Sequence, residues 1–98
     1  MEVSIMLNVY YHVAIDDGVA QITTTAKDYF DRHHCLDDGS GPDYNQIETA
    51  MERSGARRLC ESVYEAAAED ADAVIANMQA LGFNMISSPA FDAMLNLE

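Results

Sequence analysis

Three groups of residues have side chains that could do chemistry. Arg32-His33-His34-Cys35 offers two imidazoles and a thiol, which is zinc-ligand chemistry. Successive helical residues point about 100° apart, so these side chains diverge and do not share one ion. The paired ligand spacing of zinc sites is not found around them. His33 reads as a semi-buried packing residue, and His12 is the distant candidate for a third ligand. Residues 37–48 have the length of a calcium loop, with Asp37, Asp43, Asn45 and Glu48 at positions one, seven, nine and twelve. Gly39 and Gly41 occupy positions that need ligands, and Pro42 stands where the turn needs glycine. Asp37, Asp38 and Asp43 would also repel a phosphate from these glycines. The expectation is no metal and no cofactor.

The third group is Glu61, Glu65, Glu69 and Asp72, at steps of four, four and three residues. On a helix these side chains share one face, with about 6 Å of rise per four residues. There is no Ser-His-Asp or Cys-His spacing, and no carboxylate pair lies in an apolar setting that would tune it for proton transfer. Cys60 falls on the opposite, apolar face and should be inert. The chain therefore reads as a non-enzyme whose chemistry is electrostatic.

Charge supports that reading. Seventeen acids face five bases for a net charge of −12, and residues 59–98 hold seven acids and no base. This sign excludes direct binding to nucleic acid or an anionic membrane. Like charges one helical turn apart cost about 0.2–0.5 kcal/mol per pair. Tolerated repulsion suits a salt-rich solvent or a surface that meets cations, and many basic proteins are nucleic-acid-binding proteins. A helix ladder carries about one charge per 5 Å, against one per about 1.7 Å of duplex axis. It would need other acids beside it. The expected partner surface is thus Glu61, Glu65, Glu69, Asp70 and Asp72 with Asp37, Asp38 and Asp43. In size, charge and lack of a catalytic motif the chain resembles the small phage-encoded inhibitors of bacterial defence, the anti-CRISPR and anti-restriction proteins. The likeness is one of class, and no motif carries it. It implies an inhibitor acting in the cytoplasm, the host's if the gene is a phage's. The alternative is a small cytosolic regulatory or structural module whose acidity serves solubility, as a homodimer through Met6 and Tyr10 or through the helical face.

These residues need elements to position them. Ninety-eight residues, 49% of them hydrophobic, suit one domain spanning 1–98 with a modest core. Cys35 and Cys60 are too few for a disulfide framework. No basic region precedes the first apolar residues, and no apolar run approaches a membrane span. Alternating apolar residues from Val3 to Ile15 predict a long strand. Asp17-Gly18 predicts a type I′ turn that pairs Asp16 with Val19, Ile15 with Ala20, Val13 with Ile22 and Tyr11 with Thr24. Met6, Tyr10 and Ala14 lie on the other strand face.

Thr25 and Asp28 form a capping box for a helix over 26–35. After a breaker-rich loop, Asp43 caps a second helix that runs to about Arg53. Ser54-Gly55 marks a break, with Ser54 capping a long helix over 56–81. Its apolar stripe is Ala56, Cys60, Val63, Ala67, Ala71, Val74, Met78 and Leu81, with a bend where Asp70 or Asp72 could cap a separate helix. Arg57 and Arg58 would then sit in the first turn, where the helix dipole disfavours cations. That conflict points to another job for them, such as pairing with nearby acids. Gly82 stops the helix. A short strand over 84–87 follows, then a helix opened by Ser88-Pro89 that turns Phe91, Met94 and Leu95 inward. The expected fold is α+β: an N-terminal antiparallel β-hairpin, with a short third strand near 84–87, packed against three to five helices.

Overall fold

The computed structural model describes residues 7–37, 39 and 41–96. It starts from the hairpin. Strands β1 (Leu7–Asp16) and β2 (Val19–Ala26) meet at Asp17 and Gly18, with φ of 52° and 77°. Both turn residues are left-handed, as a type I′ turn requires. The four expected pairs are all observed, from Asp16–Val19 to Tyr11–Thr24. Residues 3–6, expected to begin the first strand, lie outside the described residues, as does Met6 as a dimer contact.

The hairpin does not stand alone. It forms the middle of a five-stranded mixed sheet, with β3 (Arg57–Cys60) and β4 (Val63–Ala67) on one side and β5 (Phe83–Ser87) on the other, in the order β3-β4-β2-β1-β5. β4 runs antiparallel to β2, and β5 runs parallel to β1. Helices α1 (Lys27–His33), α2 (Pro42–Arg53), α3 (Ala71–Ala80) and α4 (Pro89–Leu95) complete the α+β fold. β2 is central and covered on both faces, so residues 22–26 are buried without alternation.

The main core lies between one sheet face and α2 with α3. Val9, Ile22, Tyr64, Phe83 and Met85 meet Ile47, Ala50, Met51, Val74, Ile75 and Met78 there. On the other face, Tyr10 packs on Phe30 of α1 and Phe91 of α4, with ring centroids 5.6 and 5.9 Å apart. Tyr10 is therefore half-buried against α1 and α4. His12 Nδ1 lies 2.9 Å from Asp92 Oδ1, tying α4 to β1. Ser88 caps α4 as expected, its Oγ accepting from the Phe91 N–H.

The long helix over 56–81 is not formed. Gly55 breaks the chain at φ 107°. Residues 57–67 make a β-hairpin around Glu61-Ser62, residues 68–70 a short 3₁₀ turn, and only Ala71–Ala80 is α-helical. The apolar period holds in α3, where Ala71, Val74 and Met78 are buried. Upstream it is accidental. Tyr64, which lies off the stripe, is fully buried in the core cluster opposite Ile22, while Cys60, which lies on it, is exposed. Burying one aromatic ring against a central strand outweighs a helix that would expose it. The helix would also place arginines at its positive end and stack like charges on its face. The arginines pair instead across the sheet and onto α2: Arg57 with Glu65, and Arg58 with Tyr44 and Glu48.

Several caps also differ. Thr25 stays in β2, where its Oγ1 accepts from the Asp37 N–H. Gly41, and not Asp43, precedes α2, and Ser54 ends α2 without starting a helix. Asp70 precedes α3 but makes no side-chain cap bond. His33 is exposed and stacks on Tyr29 at 4.4 Å between ring centroids, so it is not semi-buried.

Tyr64 anchors β4 and has no hydrogen-bond partner for its hydroxyl among the described residues. Tyr64→Ala should cost about 3–5 kcal/mol, whereas Tyr64→Phe should change stability by less than about 1 kcal/mol. Burial also pushes the Tyr64 hydroxyl well above the ordinary value of 10.0. The unfolded chain then releases this proton at lower pH than the folded one. Stability should be full below about pH 10 and fall as pH rises past it, less steeply in Tyr64→Phe. Urea titrations at neutral and alkaline pH check all three expectations.

Candidate interaction surface

The eight residues expected to form one acidic face are scattered by the sheet. Glu61 sits in the β3–β4 turn, beside Gly39. Glu65 lies in β4, neutralised by Arg57. Asp37 is buried, and its Oδ1 accepts from the Gly39 N–H while its backbone ties to Thr25 and Ser62. Asp43 is in the first turn of α2. Asp38 lies outside the described residues. The carboxylate ladder on a helical face is therefore not present, nor is the helical face as a dimer surface.

Glu69, Asp70 and Asp72 do come together, beside Asp16 and Asp17 and not beside Asp37 and Asp43. β4 ends with Ala67 opposite Val19, and the Ala68 N–H donates to the Gly18 carbonyl at 2.9 Å. This brings the 3₁₀ turn and the start of α3 against the β1–β2 turn. Asp16 and Asp17 thus join Glu69, Asp70 and Asp72 at one end of the sheet. None of these five carboxylates has an ion-pair or hydrogen-bond partner among the described residues. The amino end of α3 offsets part of their repulsion, by about 0.3–1 kcal/mol for each acid within its first turn.

Three of the bases are paired with acids outside this group of five. Lys27 binds Asp31 on α1, and its hydrogen bond holds the Asp31 carboxyl below the usual range. Arg58 donates to the Tyr44 hydroxyl and faces Glu48, which raises its pKa. Arg57 is the base nearest the hairpin end along the sheet, two residues from Ala67's partner row, and Glu65 occupies it.

Apolar surface converges on the same end. Ile15, Val19 and Leu59 are 63%, 44% and 45% exposed, the large hydrophobic side chains most open to solvent among the described residues. Ile15 and Val19 flank the turn on opposite sheet faces. Leu59 reaches a shallow depression shared with Ala14, Asp16 and Val19. Exposed apolar side chains thus lie beside unpaired charge on both faces of this end.

Among the described residues, no three His, Cys, Asp or Glu side chains are arranged to hold a metal, and no helix is long and apolar enough to cross a membrane. Asp16, Asp17, Ile15 and Val19 sit in the hairpin that the sequence made legible. Their union with residues 67–72 required the β2–β4 pairing, which leaves no local signal. Compared with known proteins, the chain matches no family model, no curated protein and no solved structure.

Self-repulsion at this end is testable without a partner. Asp17→Asn, which keeps a residue that tolerates the left-handed turn, combined with Glu69→Gln should stabilise the fold by about 0.2–0.5 kcal/mol at low salt. The gain should vanish near 1 M salt, where the screening length is about 3 Å. Thermal melts at both salt levels decide it.

Proposed function

We propose that this protein is a small non-enzymatic inhibitor that binds a basic, nucleic-acid-binding protein through the hairpin end of its sheet. It acts in the manner of the anti-defence proteins it resembles in class, in the cytoplasm, or in the host cytoplasm for a phage gene. One observation carries the reading. Five unpaired carboxylates and the most exposed large apolar side chains share one end of the fold, while the bases are neutralised or placed elsewhere.

The two components have separate roles. The carboxylates steer a basic surface into contact and compete with phosphates for its lysines and arginines. The apolar side chains supply the contact area that holds it once there. The cluster is compact and not a regular row. Competition therefore comes from occupying part of a phosphate-binding track, not from copying the geometry of a strand. Two copies meeting at this end would bring like charges together, which disfavours a homodimer through it.

The test is capture at low salt, release by rising salt, and reconstitution with the purified partner. A variant with Asp16→Asn, Asp17→Asn, Glu69→Gln and Asp70→Asn should bind that partner at least about tenfold more weakly, with a flatter salt dependence. Neutralising Asp28 and Glu52, on α1 and α2, should leave both unchanged. Equal binding by the two variants would contradict the assignment. A partner with no nucleic-acid binding to inhibit would contradict the proposed role.

A further inference from the structure

We infer that the groove between β1 and α3 seats an arginine side chain of the basic partner. This rests on the reading above and gives that surface its anchor. β5 ends at Ser87, opposite Tyr11, whereas β1 continues to Asp16. Among the described residues, the end of β1 past Tyr11 therefore has no strand on its outer side. A groove of about 400 Å³ opens there, walled by Val13 and Ile15 of β1 and by Ala71 and Ile75 of α3. Its volume is at the lower end of those that take a ligand.

The lining mixes apolar side chains with the polar groups of Tyr11, Asp72 and Gln79, a combination that suits a guanidinium on an alkyl stem. Asp72 lies on the groove and has no ion-pair partner among the described residues. Tyr11 forms part of the lining. An arginine can lay its methylene stem along Val13, Ile15 and Ile75, as long cationic side chains do on apolar surface. Its planar head can then donate two parallel hydrogen bonds to the Asp72 carboxylate and stack on an aromatic face. A lysine ammonium offers the same charge without the fork or the stacking plane. The neighbouring carboxylates Asp16, Asp17 and Glu69 add field of the right sign. The exposed Ile15 side chain at the groove favours an arginine carried on a protein surface over a free small cation. Arginine is also among the residues that most often anchor protein interfaces.

Hexaarginine and hexalysine peptides are the probes, titrated by calorimetry at low salt into the intact chain. Ala76→Trp fills the groove from an exposed helical position without changing charge. Asp72→Asn removes the proposed acceptor, and Asp28→Asn on α1 serves as a control for charge alone. Hexaarginine should bind the wild type more tightly than hexalysine. Ala76→Trp and Asp72→Asn should each weaken hexaarginine by about tenfold or more, and Asp28→Asn by less than about twofold. Amide shifts of the unmodified protein should move at Val13, Ile15, Asp72 and Gln79, a readout that needs no variant to fold. Unchanged hexaarginine affinity in Ala76→Trp, or shifts centred away from the groove, would overturn the inference alone. A wild type that binds neither peptide would overturn it together with the reading beneath it.

Discussion

The structure depends on one strand pairing, β4 beside β2, with Tyr64 set opposite Ile22 in the buried core. Residues 57–67 have no strong local preference for a strand. They take it because β2 is buried on both faces and needs an antiparallel neighbour to satisfy its backbone. An unpaired buried peptide group costs about 1–3 kcal/mol, so leaving a central strand without its ladder would cost more than any helix in the segment could return. Pairing also makes β2, which follows the tight Asp17-Gly18 turn, the middle strand of five.

The same pairing arranges the charges. Because β4 runs back toward the first turn, the chain leaves the sheet beside Gly18 and delivers Glu69, Asp70 and Asp72 to Asp16 and Asp17. Arg57 and Arg58 fall where they can meet Glu65, Glu48 and Tyr44. An acidic chain with few bases thereby becomes a folded protein with one strongly unbalanced end. The opposite sheet face is closed by Tyr10, Phe30 and Phe91, with the His12–Asp92 contact holding α4 in place. The apolar side chains left most open are those beside the unbalanced end, together with Leu59 at the outer strand.

Local patterns in the sequence were legible where the physics is local. The hairpin register follows from a turn type that only a few residues tolerate, and the Ser88-Pro89 cap follows from hydrogen bonding within one helical turn. The breaks at Gly55 and Gly82 follow from positive φ. The stretch from 56 to 70 misleads because its small and apolar residues happen to recur at helical steps, while its fate is decided by β2, far away in the chain. Arg57 and Arg58 carried the one local warning, as cations at the wrong end of a helix. Of the candidate site, Glu69, Asp70 and Asp72 were in view, but the reason they matter is a long-range contact. In the sequence, Asp16 marks only a strand end and Asp17 only a turn.

Cross-strand proton contacts measured by NMR test the central pairing most directly. The account predicts contacts between Val19 and Ala67, Gln21 and Glu65, and Thr23 and Val63, together with a slowly exchanging Ala68 amide. An unbroken run of helical contacts between residues three apart, from 56 to 81, would contradict it. In that case the acidic residues would return to a single helical face and the proposed surface would not exist.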